Sequence, residues 1–356
     1  MSFAFTPYAL PLRTRYHWAK GAHDERAGLI VRCDLGGATG WGECAPPPHR
    51  AVDPVAYPAE AARLVEGLDP ARDDFLQALD ARRPAGRLRC GISTAWLSAR
   101  AAAAGRTLAA EMARPGETPA ARVPINALIT EEEPDAAAER AASLVADGFR
   151  TIKIKCFADR ARDLVRVRAI RQAAPHVTLR LDPNESWPAD AALDQLKAMA
   201  EFGVDYVEQP MPSGTPIEAF VALRKQSPIR VAIDESAEDL QTIRPFLEAG
   251  AVDVLILKPP RVGGPDAALA IAREAAQSGV QSTITASLET AVGLYAALHA
   301  GSLLPAPIPD CGLGTARFFA RDVAAPPPLV NGYMTLPTTP GLGVGAIDPQ
   351  GREQAA

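Results

Sequence analysis

Thr151-Ile152-Lys153-Ile154-Lys155-Cys156 is a β-prone run of about one strand's length that carries two lysines. Working outward from it, a strand-then-helix unit recurs. Upstream lies an apolar strand at Val123–Ile129, then a helix at Glu131–Ala146 with an acidic first turn and Gly148 near its end. Downstream, strands are expected at Val177–Leu181, Val204–Val207, Arg230–Ile233, Val252–Leu257 and Gln281–Thr285, with a short eighth near Pro307–Cys311. Helical segments fall between most of them. Seven or eight such units in one chain predict a parallel α/β barrel rather than an open sheet.

A strand inside a barrel should be apolar, yet these strands end in charge. Strand two carries Lys153 and Lys155. The next ends run Arg180-Leu181-Asp182-Pro183-Asn184, Glu208-Gln209-Pro210, Asp234-Glu235-Ser236 and Lys258-Pro259-Pro260. From Lys155 to Asp182 is 27 residues, and the following steps to Glu208, Asp234 and Lys258 are 26, 26 and 24. Each step is one βα unit, so the charges recur at one level, the C-terminal strand ends that form the catalytic face of such barrels.

Neighbouring strands lie about 4.8 Å apart, so Asp182, Glu208 and Asp234 can converge on one cation. An all-oxygen set of three carboxylates suits Mg²⁺, and without a cation three such charges would repel. The lysines stand on strands two and six, half a circle apart, and so should face each other across the mouth. A carboxylate substrate held on the metal would then have a lysine on each face. A divalent charge and a second lysine bring a lysine down from about 10.4 towards neutrality, as a general base requires. The metal would stabilise the enediolate formed when the α-proton leaves.

The remainder of the chain bounds the reading. At 356 residues it is too long for one small core. It is 47% hydrophobic and 22% charged, with a net charge of −5 and no basic patch, which speaks against nucleic acid. No apolar run approaches the roughly 18 residues of a membrane span, and the N-terminus lacks a secretion signal. Five scattered cysteines without zinc spacing read as free thiols in a reducing cytoplasm. Residues 1–120 read as mixed strands and helices. Leu29–Asp34 is a strand, Gly36-Gly37 and Gly40-Trp41-Gly42 mark turns, and Pro46-Pro47-Pro48 is a stiff loop. Pro58–Ala113 is helical, with a break near Pro84–Gly86.

Taken singly, these residues have plainer readings. One Asp or Glu at a strand end caps the next helix or meets solvent. Lys153 alone is a carboxylate's partner, and Cys156 belongs to the core. His176 and His299 are not at strand ends, Gly341-Leu342-Gly343-Val344-Gly345 are turns, and the acceptor-like Asn184-Glu185-Ser186 has no meaning in a cytosolic barrel. Five charges in register outweigh those readings.

Together the motifs resemble the enolase superfamily, muconate-lactonizing-enzyme subgroup, over nearly the whole chain. That resemblance implies a (β/α)₇β TIM-like barrel at 121–315, an α+β capping domain at 1–120, and a segment at 316–356 packing back on the cap. It also implies Mg²⁺ on Asp182, Glu208 and Asp234, Lys155 as acid/base, Lys258 as the opposing lysine, and Lys153 as a supporting charge. The mandelate-racemase branch would need a histidine on strand seven, where none occurs. Leu257–Gly264, Ala286–Gly293 and Cys311–Thr315 resemble the o-succinylbenzoate synthase family, which dehydrates a succinyl-hydroxycyclohexadiene carboxylate in menaquinone biosynthesis. On that basis Ser287 and Leu288 would line the succinyl side, and Arg180 and Asn184 would support the metal shell or substrate. Thr14, Arg15, Tyr16 and Arg26 would fall in the cap loop over the site. N-succinylamino acid racemases share much of that pocket. Dipeptide epimerases carry Asp-x-Asp on strand eight, where this chain has Asp310-Cys311-Gly312. A catalytically inactive metal-binding scaffold is the alternative of another class. The implied partner is a small carboxylate, and self-association into a homo-oligomer stays open.

Overall fold

The computed structural model describes residues 2–18, 21–47, 50, 52–157 and 159–351, without the side chains of 16–18, 21 and 22. The chain opens with a three-stranded antiparallel sheet of β1 (Ser2–Trp18), β2 (Gly21–Leu35) and β3 (Ala38–Cys44), in that order. Leu29–Asp34 is thus the end of a much longer strand, and the β1–β2 hairpin absorbs residues expected in a loop. Thr14 and Arg15 lie in β1 and Arg26 in β2, whereas the Tyr16 side chain and Pro48 fall outside the described residues.

Helices Ala56–Val65, Phe75–Asp80, Gly86–Ala103 and Leu108–Met112 cover this sheet, and the expected break stands before Gly86. Gly40 and Gly42 are not turn residues but lie inside β3. A Cβ on Gly40 would sit 2.1 Å from the Ala95 carbonyl oxygen, and one on Gly42 2.1 Å from that of Gly91. Glycine is required there because the strand presses directly on helix Gly86–Ala103. Gly36 and Gly37, with φ of 59° and 80°, do make the expected turn.

The expected strand at Val123–Ile129 is two strands. β4 (Arg122–Pro124) joins a small sheet with β13 (Tyr333–Thr335) and β12 (Leu329–Val330), whereas β5 (Ala127–Ile129) begins the barrel. β6 (Thr151–Lys155), β7 (Thr178–Asp182), β8 (Val204–Glu208), β9 (Arg230–Ile233), β10 (Val254–Leu257) and β11 (Gln281–Ile284) follow as neighbours in a parallel sheet. Each hands on to a helix, the arrangement that parallel pairing demands.

Closure comes from two residues rather than a full eighth strand. Cys311 bridges Ile125 and Gly312 bridges Thr285. The Asn126 amide donates to the Cys311 carbonyl at 2.9 Å and the Gly312 amide to that of Ile284 at 2.9 Å. Gly312 is tight against the Thr285 side chain, 2.9 Å from an added Cβ. The result is a (β/α)₇β barrel. Its interior is packed by Tyr206, Ala232, Val254 and Ile256, while alternate residues such as Leu179, Leu181 and Val207 face the helices. Downstream of the barrel, Phe319, Val323, Ala324 and Leu342 share one buried cluster with Leu10, Leu29 and Trp96, so the C-terminal segment completes the cap.

Candidate active site

Strand pleating decides which charges enter the barrel. On β6, Lys153 and Lys155 share a face, and on β7 Arg180 and Asp182 do. In register, Lys155 stands opposite Asp182. The Lys155 Nζ donates to Asp182 Oδ2 at 2.6 Å and also to Asn184 Oδ1. Lys153 Nζ bridges Asp182 Oδ2 and Glu208 Oε1, both at 2.7 Å. Across the mouth, Lys258 Nζ meets Asp234 Oδ2 at 2.5 Å, and Arg261 Nη1 meets Asp234 Oδ1 at 2.8 Å. β6 and β10 are separated by three strands in the closed sheet, which puts the two lysines on opposite walls. Lys153, Lys155, Lys258, Asn184, Ser287 and Leu288 all line one cavity of about 780 Å³.

Asp182, Glu208 and Asp234 are at most 1% exposed beneath it. Burial raises Glu208 to about 7, with Asp182 pushing the same way against Lys153. Burial acts likewise on Asp182 and Asp234, but neighbouring cations win: Lys153 and Lys155 hold Asp182 down, and Arg261 and Lys258 hold Asp234 down. Burial disfavours the charge on Lys153, yet Asp182 and Glu208 outweigh it and raise its pKa.

Among the described residues no three His, Cys, Asp or Glu side chains form a ready-made metal cage. Each carboxylate faces an ammonium or guanidinium instead. The donor chemistry still fits a hard divalent cation. Three carboxylates from adjacent strands offer only oxygen, and the upward pull that Asp182 and Asp234 exert on Glu208 is the repulsion a cation relieves.

Arg180 is placed lower. It is 3% exposed, donates to Asn126 Oδ1 at 3.2 Å and to the Asp310 carbonyl at 2.5 Å, and lies over the Tyr206 ring. Any help it gives Asp182 passes through the strand.

Several residues escaped the sequence reading. Gln209, with φ of 41°, accepts from the amides of Asp234 and Ser236 at 3.0 and 3.1 Å and so fixes the end of β9. Asn184 Nδ2 donates to Glu235 Oε1 at 3.3 Å, and the other oxygen of Glu235 is buried without a partner. Arg26, expected in a cap loop over the site, reaches it from β2, its Nε donating to the Leu288 carbonyl at 2.8 Å. Gln209 and Glu235 sit next to the quoted acids, a signal adjacency could have offered. Asn184, Gln209 and Leu288 have positive φ without being glycine, and such strain gathers at functional sites.

A closed parallel barrel with buried carboxylates and opposed lysines at its strand ends defines the class: a (β/α) barrel enzyme. Residues 136–350 match the family described as "Enolase C-terminal domain-like", and the chain belongs to the enolase superfamily. It is similar to the o-succinylbenzoate synthase of Thermobifida fusca (strain YX), 31% identical over 336 residues, covering 92% of this chain and 85% of that one. Among solved structures, a mandelate racemase/muconate lactonizing protein from Herpetosiphon aurantiacus is 25% identical with a TM-score of 0.87, covering 97% of this chain and 98% of that one. A dipeptide epimerase from Enterococcus faecalis V583, complexed with Mg and the dipeptide L-Leu-L-Tyr, shares the fold at 24% identity and a TM-score of 0.87, over 96% and 98% of the two chains. No helix among the described residues is long and apolar enough to cross a membrane.

Proposed function

We propose that this enzyme is a magnesium-dependent o-succinylbenzoate synthase. It would dehydrate 2-succinyl-6-hydroxy-2,4-cyclohexadiene-1-carboxylate to o-succinylbenzoate and water, on the route to menaquinone. The observation that carries the reading is the pair Lys155 and Lys258 on opposite walls of one cavity, above three buried carboxylates. The similarity to a named synthase over most of both chains supports the substrate.

In this reading residues 1–120 are the cap, 121–315 the barrel and 316–356 the returning segment. Asp182, Glu208 and Asp234 would hold Mg²⁺. Bound there, the ion supplies a divalent charge that anchors the substrate carboxylate and offsets charge building on it. Lys155 Nζ, as the amine, takes the α-proton and becomes an ammonium. It then returns that proton to the departing hydroxyl on the same face, so water leaves and the ring becomes aromatic. Lys258 stays cationic and stabilises the enediolate from the other face. Asn184 orients Lys155 through its side-chain oxygen. Lys153 spaces Asp182 from Glu208, Arg180 braces the strand beneath them, and Ser287 and Leu288 flank the succinyl arm. The five buried cysteines, all free thiols, suit a reducing cytoplasm.

The same lysine pair can move a proton from one face to the other, which keeps N-succinylamino acid racemisation as a second reading. Purified protein with Mg²⁺ is offered the cyclohexadiene substrate, N-succinylamino acids and dipeptides. Dehydration should be fastest, and faster turnover of a dipeptide would overturn the assignment.

A further inference from the structure

The cavity above the lysines is large. At about 780 Å³ it has room well beyond a single ring carboxylate, and part of its wall belongs to the cap. That wall includes Pro46, Pro47 and Arg87. Arg87 lies in the first turn of helix Gly86–Ala103, whose start is pinned to the short helix Pro259–Val262 after Lys258: a Cβ on Gly86 would lie 2.3 Å from the Arg261 carbonyl oxygen. The Arg87 guanidinium is therefore carried to the rim directly beside the catalytic strand ends.

The other cations along that side are matched. Lys153 serves Asp182 and Glu208, Lys155 serves Asp182, and Lys258 and Arg261 serve Asp234. Arg87 makes no hydrogen bond or ion pair among the described residues. Its helix has no acidic residue in the first turn. Burial, then the charge of Arg261, disfavours the cation where it stands. Tyr57 and Glu289 act the other way but neither pairs with it, and a partly buried guanidinium that lines a cavity without an ion pair is a site for an anion.

We infer that Arg87 anchors a second, remote carboxylate of the ligand, so that the cap selects dicarboxylates. The ring carboxylate is held at the strand ends, and the tail carboxylate of a succinyl arm reaches across to the guanidinium. The choice of a succinyl arm rests on the function proposed above, whereas the anchor itself rests on Arg87 and its surroundings. Arg140, which also lines the cavity, stands on the outer helix Pro134–Ala146, with Asp147 at that helix's C-terminal cap, and serves as the control.

The test compares 2-succinylbenzoate with 2-butyrylbenzoate, which carries a methyl group in place of the tail carboxylate. Binding to the Mg²⁺-loaded full chain is measured by calorimetry for wild type, Arg87→Gln, Arg87→Lys and Arg140→Gln, with circular dichroism to confirm folding. Arg87→Gln should weaken 2-succinylbenzoate about 10- to 100-fold and leave 2-butyrylbenzoate within about twofold. Arg87→Lys should retain most of the preference, and Arg140→Gln all of it. Equal loss for both ligands, loss for neither, or a wild type without preference for the dicarboxylate overturns the inference. The reaction assignment fails separately. A wild type that does not dehydrate the cyclohexadiene, yet prefers N-succinyl over N-butyryl amino acids in an Arg87-dependent way, keeps the anchor and loses the synthase.

Discussion

Two groups of carboxylates, buried save for half-buried Asp322, sit at the top of this barrel, and they are satisfied in opposite ways. Asp182, Glu208 and Asp234 face the side-chain cations of Lys153, Lys155, Lys258 and Arg261. Glu43 and Asp322 face backbone. Glu43, from β3 of the cap, accepts from the amides of Thr290 and Gly293 at 3.0 Å, from the Thr290 hydroxyl at 2.7 Å and from the Tyr8 hydroxyl. Asp322, from the returning segment, accepts from the Ala291 amide at 3.0 Å. Both cap the start of helix Ala291–Gly301, where free amides and the helix dipole favour anions. Side-chain cations can give way to another cation, but backbone amides cannot. The first group is built for exchange, and the second locks cap, barrel and C-terminus together.

That contrast can be broken most sharply at Lys155. Lys155→Ala should lower turnover about 10²- to 10⁴-fold, the scale on which general acid–base groups contribute; it also strips buried Asp182 of one of its two ammonium partners, so stability is followed separately by denaturant titration. Wild-type dehydration by the variant would remove Lys155 as the proton carrier.

Asp234→Asn comes next, because it strips a buried carboxylate from two half-buried cations, Lys258 and Arg261. Breaking a buried pair from one side costs about 3–5 kcal/mol. Denaturant titration should register that loss without metal, and the stabilisation by added Mg²⁺ seen in wild type should disappear. A variant still stabilised by Mg²⁺ to the wild-type extent would place the ion elsewhere.

The locked side has its own pH signature. His299, within helix Ala291–Gly301, accepts from the Ala109 amide at Nδ1 (3.1 Å), and its Nε2–H donates to the Leu342 carbonyl at 3.0 Å. Burial pulls it from 6.5 to about 4. The folded pKa is depressed, so its contribution is full above about 6.5 and is lost as pH falls towards about 4. Relative to His299→Gln, wild-type stability should drop by up to about 3 kcal/mol across that window. Parallel curves for the two proteins would sink the idea.

Glu43→Gln should have the smallest effect. It sets amide donors against the backbone N–H groups of Thr290 and Gly293, costing about 1–3 kcal/mol of stability while kcat changes little. A collapse of kcat at unchanged stability would move Glu43 into the first group.

The legibility of the two groups differs as much as their chemistry. Asp182, Glu208 and Asp234 were readable because one βα unit takes nearly constant length, so equal function recurs at equal spacing. Glu43, Tyr8, Thr290 and Asp322 are far apart in sequence with no period, and nothing local announces that they meet. The same holds for Arg87 at the cavity rim. Turn signals misled at Gly40 and Gly42, where glycine answers to helix packing. The expected eighth strand shrank to Cys311 and Gly312, since two residues suffice to bridge β11 and Ile125.

The amino-acid sequence by itself determined the barrel class, the level of the strand-end charges and the opposition of Lys155 to Lys258. Periodicity and the alternation of a strand are local properties that act before any long-range contact. Only the tertiary structure decided which cation meets which carboxylate, how cap and C-terminus clamp helix Ala291–Gly301, and what Arg87 faces. Those depend on side chains brought together by closure of the barrel and docking of the cap, where distance in space no longer follows distance in sequence.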